Sequence, residues 1–270
     1  PLLYRASRKR IPTLIQEQNS FPGITNKILA NRVNRVCAGF PGLDKWFPKD
    51  RIVETGNPLR EGVLKLADSK SSPSKSLATS HFNIDTSKPV VFIMGGSLGA
   101  LSMNMAVRNL LESANNLLTY SVIWQCGSRF FDENNKWLEE FRKKNSKIAD
   151  CVKCLGFIDR MDLAYAASDV IASRAGAMSI SELALVAKPT LLIPSPNVAE
   201  DHQTKNAKSL VDRGAAILIK DCEVVNSLKD QIEGLLKDDT TRKEMEKNLK
   251  NAARPNASYQ IVDEVEKLLR

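Results

Sequence analysis

Short apolar runs alternate with longer amphipathic stretches along almost the whole chain, a rhythm that predicts βαβ units and a parallel sheet. Candidate strands are Thr13–Gln16, Arg35–Ala38, Ile52–Thr55, Val90–Met94, Ser121–Gln125, Val170–Ser173, Thr190–Ile193 and Ala215–Ile219, and the run Cys151-Val-Lys-Cys-Leu155 also alternates like a strand. Helical patterns fill the gaps. From Asp68 to Ser80 the pattern breaks into Ser and Lys without periodicity, which predicts a mobile linker or surface loop. Three candidate strands precede this break, about half of a doubly wound domain, whereas a complete alternating set follows it. The chain opens with Pro1 inside Leu2-Leu3-Tyr4, which reads as the middle of a helix, so a missing N-terminal segment is expected. The tail from Asn226 to Arg270 carries three helical patterns and no strand. In the last of them Ile261, Val262, Val265, Leu268 and Leu269 form a stripe that is expected to pack on something.

Composition adds limits rather than identity. With 43% hydrophobic and 26% charged residues over 270 positions, the chain reads as an ordinary globular protein. No apolar run approaches the roughly 20 residues that span a bilayer as a helix. The net charge of +8 favours an anionic partner: a phosphorylated ligand, an acidic lipid surface or nucleic acid. Nucleic acid is the weakest of these, because the few aromatics are not interleaved with basic residues as in a base-stacking platform. Five widely spread cysteines without a signal sequence point to a reducing compartment. Cys151 and Cys154 form a lone CxxC without the second ligand pair that zinc needs, and they read as strand residues.

Three segments could carry chemistry. Gly95-Gly-Ser-Leu-Gly-Ala100 joins a buried strand to a helix, an outline suited to a diphosphate at a helix N-terminus. The same residues satisfy the G-x-S-x-G pattern of a hydrolase nucleophile elbow, with Ser97 as nucleophile, His202 downstream and Asp169 as the acid between them. In the second segment, Ser179 and Glu182 fit a capping box, while Glu182 could instead accept hydrogen bonds from a ribose diol. In the third, Gln203 and Asn206 follow a strand and suit sugar hydroxyls, and Asp201 fits a helix N-cap. His202 reads more simply as a packing residue. In the first part of the chain, Arg60 could pair with a phosphate or decorate a surface.

Taken in order, Glu17-Gln-Asn with Pro22-Gly23, Gly56-Asn-Pro with Arg60, the Gly95–Ala100 turn, Gly156-Phe-Ile-Asp159, Arg174-Ala-Gly-Ala with Ser181-Glu182, and Asp201-His-Gln with Asn206-Ala207 resemble the MurG family, glycosyltransferase family 28. The segment from Ser195 to Ala207 looks most like the Bacteroidetes version. The resemblance runs from Pro1 to the C-terminal helix. It implies a GT-B type α/β fold of two Rossmann-like lobes with parallel sheets, the first lobe incomplete. The division it implies is 1–60 for the C-terminal half of an acceptor- and membrane-side lobe, 61–88 for a linker, 89–250 for a lobe binding UDP-N-acetylglucosamine, and 251–270 for a helix packing back on the first lobe.

The family's reaction is an inverting transfer of N-acetylglucosamine to lipid I, undecaprenyl-diphospho-N-acetylmuramoyl-pentapeptide, forming lipid II for peptidoglycan. By the resemblance, Ile158 would read uracil through its backbone, Glu182 would hold the ribose, and Ser97 would face the diphosphate. Ala177, Met178, Ser179, Ile180 and Ser181 would line the helix beside the nucleotide sugar, Gln203 would hold sugar hydroxyls, and Asn19 and Arg60 would reach in from the first lobe. No cofactor and no metal are implied. The implied partners are UDP-N-acetylglucosamine, lipid I, an anionic membrane surface at the cytoplasmic face of the bacterial inner membrane and cell-wall synthesis proteins, without nucleic acid. Ala187 stands where the family usually has Gly, Leu101 where Arg is frequent, and the family's N-terminal Gly-rich loop with its proposed catalytic base has no counterpart. A donor-binding subunit needing a partner lobe and a Ser97 hydrolase are the alternatives.

Overall fold

The structure is a computed structural model and describes residues 1–68, 71–114 and 117–269. Two parallel sheets organise it. Helix α1 (Leu2–Arg8) precedes β1 (Leu14–Glu17), α2 (Ile24–Ala30), β2 (Arg35–Ala38) and β3 (Ile52–Glu54), and the three strands form a sheet in the order β1-β2-β3. Ile15, Leu29, Val36, Leu43 and Phe47 make a small core of their own there. Helices α3 (Glu61–Leu64) and α4 (Lys75–Phe82) lead into the second sheet.

The second half runs β4 (Val90–Met94), α5 (Leu101–Glu112), β5 (Ser121–Gln125), α6 (Phe131–Arg142), α7 (Ser146–Ala149), β6 (Val152–Leu155), α8 (Met161–Ala167), β7 (Val170–Ser173), α9 (Ala177–Val186), β8 (Thr190–Leu192), α10 (His202–Val211) and β9 (Ile217–Leu218). Helices α11 (Val224–Lys237), α12 (Asp239–Ala252) and α13 (Ala257–Leu269) follow. The six strands lie in the order β6-β5-β4-β7-β8-β9, all parallel. Every residue of β4 and β5 is buried, because helices cover both faces, and a parallel strand so covered reads as a continuous apolar run rather than an alternation.

Two expectations need correction here. The Ser- and Lys-rich run is partly helical: the Ser74 hydroxyl caps α4 by accepting from the Leu77 N–H at 3.2 Å, and Ala78, Thr79 and Phe82 are buried on the face turned to the second lobe. Composition suggested a loop, but one Ser is a cap and Ala78 and Phe82 stand one turn apart. Ser69 and Lys70 of that run, and Arg270 of the C-terminal segment, lie outside the described residues.

The apolar stripe of α13 is also not covered, since Val262 is 53% and Leu269 77% exposed. What α13 buries is Ala257 and Glu264, and Glu264 accepts from the Arg35 guanidinium at 3.0 Å at the start of β2. The approach to this helix crosses the first lobe at Gly56, where a Cβ would stand 2.4 Å from that of Arg254.

Candidate functional site

From β4 the chain steps outward through β5 and β6, then returns to place β7 on the other side of β4. The order of strands reverses between β4 and β7, and in open α/β sheets the crevice beyond the carboxyl ends at such a reversal is where ligands bind. Two turns flank it, 95–100 after β4 and 174–176 after β7.

The first turn is held by glycine geometry. Gly99 has φ +76°, its N–H donates to the Gly96 carbonyl at 2.9 Å, and a Cβ on it would stand 2.2 Å from the Cys126 carbonyl oxygen. Opposite, a Cβ on Gly127 would come within 2.3 Å of the Gly99 backbone. Only hydrogen at both positions lets the turn sit down on the end of β5. Helix α5 then starts with no side-chain cap, as does α9 after Gly176, so both present unpaired N–H groups and the positive end of the helix dipole to the crevice. Ser97 stands exposed on the turn.

Arg174 braces the crevice floor. Its guanidinium donates to the Ile193 and Pro194 carbonyls at 3.1 and 3.2 Å, to Asp221 at 2.6 Å and to the Ser102 hydroxyl at 2.8 Å, tying the ends of β7 and β8 to the first turn of α5. Gln203 works beside it: its side-chain oxygen accepts from the Ala175 and Ser195 N–H groups at 3.2 and 2.9 Å, and no partner among the described residues takes its amide N–H groups.

Glu182 lies in the second turn of α9 and is only 5% exposed. Its Oε2 accepts from the Tyr165 hydroxyl at 2.8 Å, and its Oε1 accepts from Arg60 Nε at 3.0 Å and Nη2 at 2.7 Å. The Arg60 guanidinium is raised above its ordinary value: desolvation, the largest single effect, pulls it down, but the hydrogen bond to Glu182 and the attraction of its carboxylate together outweigh it. Burial, then the neighbouring Glu182 carboxylate, push the Tyr165 phenol well above 10.0. Arg60 also lines a surface groove of about 560 Å³ with Asp159 and Arg160, just past Ile158. Ile158 is buried, and among the described residues no hydrogen bond engages its backbone N–H or carbonyl.

The first lobe meets this site at the ends of its own strands. Asn57 donates to the Ser181 hydroxyl at 3.0 Å and to the Gln18 carbonyl at 2.9 Å, and its Oδ1 lies where a Cβ on Gly39 would intrude at 2.2 Å. Asn206 on α10 accepts from the Ser20 N–H and hydroxyl, both at 2.9 Å, and donates to Asn19 Oδ1 at 3.2 Å. The buried Glu17 carboxylate shapes the loop that offers these groups, accepting from the N–H groups of Asn19 and Gly23 and from the Asn26 amide.

Three local readings are therefore corrected. Ser179 does not cap α9, and Glu182 does not turn back to a cap; its partners are Tyr165 and Arg60, 17 and 122 positions away in sequence. Asp201 makes no side-chain cap on α10, because Glu200 and Asp201 both take the left-handed conformation with φ +54°. The hydrolase constellation does not assemble. Ser97 follows the carboxyl end of β4, whereas Asp169 precedes β7 at the opposite, amino-terminal end of the strands, where Lys75 and the Val90 N–H hold its carboxylate. His202 instead sits by Phe21, ring centroids 5.9 Å apart.

The structure thus pairs Arg60 with Glu182 and sets Asn19 against Asn206, one turn from Gln203 on α10, with Ala177, Met178, Ser179, Ile180 and Ser181 on the same helix as Glu182. Ser97 stands on the neighbouring turn and Ile158 beyond β6. Sequence reasoning missed Tyr165 and quoted Arg174 and Asn57 as motif residues without assigning either a role. Tyr165 sits in Leu163-Ala-Tyr-Ala-Ala167, which reads as plain core, whereas the Asn after a strand-ending Gly56 was a usable signal.

Two lobes with parallel sheets, and paired helix N-termini at the switch point of the second, define a protein of the GT-B fold. Residues 90–261 match the glycosyltransferase family 28 C-terminal domain, and the chain belongs to that family. It is 44% identical to the UDP-N-acetylglucosamine–N-acetylmuramyl-(pentapeptide) pyrophosphoryl-undecaprenol N-acetylglucosamine transferase of Flavobacterium psychrophilum, over 98% of this chain and 68% of that one. The enzyme of the same name from Porphyromonas gingivalis is 42% identical over 100% of this chain and 68% of its own. The crystal structure of Acinetobacter baumannii MurG superposes with a TM-score of 0.73 at 28% identity, covering 98% of this chain and 69% of that one.

Proposed function

We propose that the chain transfers N-acetylglucosamine from UDP-N-acetylglucosamine to lipid I, the step that forms lipid II in peptidoglycan synthesis. The observation that carries this reading is the buried Glu182 carboxylate beside two uncapped helix N-termini at the sheet's switch point: a ribose acceptor next to a diphosphate seat. In this reading residues 89–250 hold the donor, with Ile158 presenting backbone groups to uracil, Glu182 taking the ribose hydroxyls, and Ser97 and the Gly95–Gly99 turn facing the diphosphate. Helix α9 from Ala177 to Ser181 lies along the nucleotide sugar, and Gln203 turns its free amide to sugar hydroxyls.

Residues 1–60 serve the acceptor side, bringing Asn19 and Arg60 to the donor. The acceptor hydroxyl attacks the anomeric carbon from the face opposite UDP and loses its proton to a base. The bond from that carbon to the β-phosphate oxygen breaks with its electron pair on UDP, which inverts the centre. The dipole ends of α5 and α9 stabilise the charge that gathers on the departing diphosphate, a fixed electrostatic role. The net charge of +8 supports peripheral binding at an anionic cytoplasmic leaflet.

Calorimetric titration with UDP-N-acetylglucosamine and UDP tests the donor site. Binding should weaken at least tenfold in Glu182→Ala, about the loss of one charge-assisted hydrogen bond; equal affinity in a folded variant would remove the basis of this reading.

A further inference from the structure

Glu182 is held from two sides by residues of opposite character. Tyr165 is fully buried, its ring edge-on to Phe92 with centroids 5.8 Å apart, and its hydroxyl reaches Glu182 Oε2 at 2.8 Å. Arg60 comes from the other lobe, keeps 57% of its side chain exposed, and aims two N–H groups at Oε1. A vicinal diol likewise presents two adjacent donors to one carboxylate. Arg60 can be exchanged for a ligand because solvent already reaches it, whereas Tyr165 cannot leave without opening the core.

We propose that Tyr165 is a positioning residue: it fixes the Glu182 carboxylate for a ribose diol and thereby gives the site its preference for ribose over 2′-deoxyribose. The inference rests on the nucleotide-sugar reading of Glu182 and names the residue behind it. With its phenol raised well above 10.0, first by burial and then by Glu182, Tyr165 remains a neutral donor at any working pH, so the carboxylate keeps one orientation. A carboxylate free to rotate would still attract one hydroxyl but would not meet two at once.

The test is calorimetric affinity for UDP and for 2′-deoxy-UDP in the unaltered protein, Tyr165→Phe and Glu182→Ala. The unaltered protein is expected to favour UDP by about tenfold, the worth of one good hydrogen bond to a charged group. Tyr165→Phe should weaken UDP roughly fivefold and 2′-deoxy-UDP far less, so that the ratio shrinks towards one. Placing 4-aminophenylalanine at position 165 returns an N–H donor, keeps the ring's packing and should restore the ratio. An unaltered ratio in folded Tyr165→Phe, or an aminophenyl variant that behaves like Phe, overturns the proposal. A ratio that survives Glu182→Ala instead overturns the ribose reading of Glu182 itself, a distinct failure.

Discussion

Arg60 of the first lobe and Glu182 of the second are joined by two hydrogen bonds on one carboxylate oxygen, at 3.0 and 2.7 Å, across the cleft. Removing Arg60 leaves a buried carboxylate with Tyr165 as its one remaining donor among the described residues. Arg60→Ala is therefore expected to lower unfolding stability by about 1–2 kcal/mol, discounted for the exposed guanidinium. Arg60→Lys should recover only part of that loss, since an ammonium cannot reproduce the guanidinium fork. Urea denaturation of the three proteins measures the order, and a Lys variant equal to the unaltered protein would show that the fork geometry is immaterial.

The Gly-rich turn yields a graded series. At Gly99 a methyl group would meet the Cys126 carbonyl at 2.2 Å in a left-handed conformation, while at Gly96, φ +85°, it would meet nothing within 4 Å. Gly96→Ala should cost about 1 kcal/mol, the strain of a left-handed alanine. Gly99→Ala adds a clash with backbone and should cost about 3 kcal/mol or more. If the displaced turn is the diphosphate seat proposed above, Gly99→Ala should weaken UDP more than uridine. Thermal melts and paired titrations of the two ligands read both effects.

Much of the architecture was legible because local pattern and tertiary demand agree. Val90–Met94 and Ser121–Gln125 are buried on both faces and carry no competing periodicity, so their bounds were read as found. Agreement fails where partners are distant in sequence. Ser179-x-x-Glu182 satisfies a capping rule locally, yet the carboxylate's stronger partners arrive from α8 and from the other lobe. The α13 stripe misled in the opposite sense: an apolar face is evidence of amphipathicity, but Glu264 and Ala257 are what the helix buries. Strand β9, at the edge beside β8, is shorter than its apolar run and pairs only through Ile217 and Leu218.

Glu264 should make the attachment of α13 sensitive to acid. The Lys267 ammonium, and after it Arg35, hold its carboxyl below the ordinary 4.5 against an opposing contribution from burial. A group depressed in the folded state contributes stability that is full above its unfolded value, near 4.5, and is lost as pH falls through the lower folded value. Melting temperature should therefore drop below pH 4.5 more steeply in the unaltered protein than in Glu264→Gln, with the two curves parallel above pH 6. Curves that stay parallel throughout would mean that neither the Lys267 nor the Arg35 contact of Glu264 adds to stability.

Asn206 offers the sharpest test of how the lobes are coupled. Its side chain is 1% exposed, accepts two hydrogen bonds from Ser20, and donates to Asn19 and to the Ala175 carbonyl beside the α9 turn. Asn206→Ala strands the Ser20 N–H and removes the link from the first-lobe loop to the crevice, a loss of about 2–3 kcal/mol. Asn206→Asp keeps the acceptor for Ser20 but loses the donor for Asn19 and Ala175, placing a charge against two carbonyl oxygens instead. The Asp variant should therefore be no better than Ala, although it is nearly isosteric. Amide hydrogen exchange distinguishes the effect from general loosening: protection should fall at residues 18–23 and 174–177 while β4 and β5 stay protected. Uniform loss across both sheets would place Asn206 in the folding core rather than at the joint between lobes.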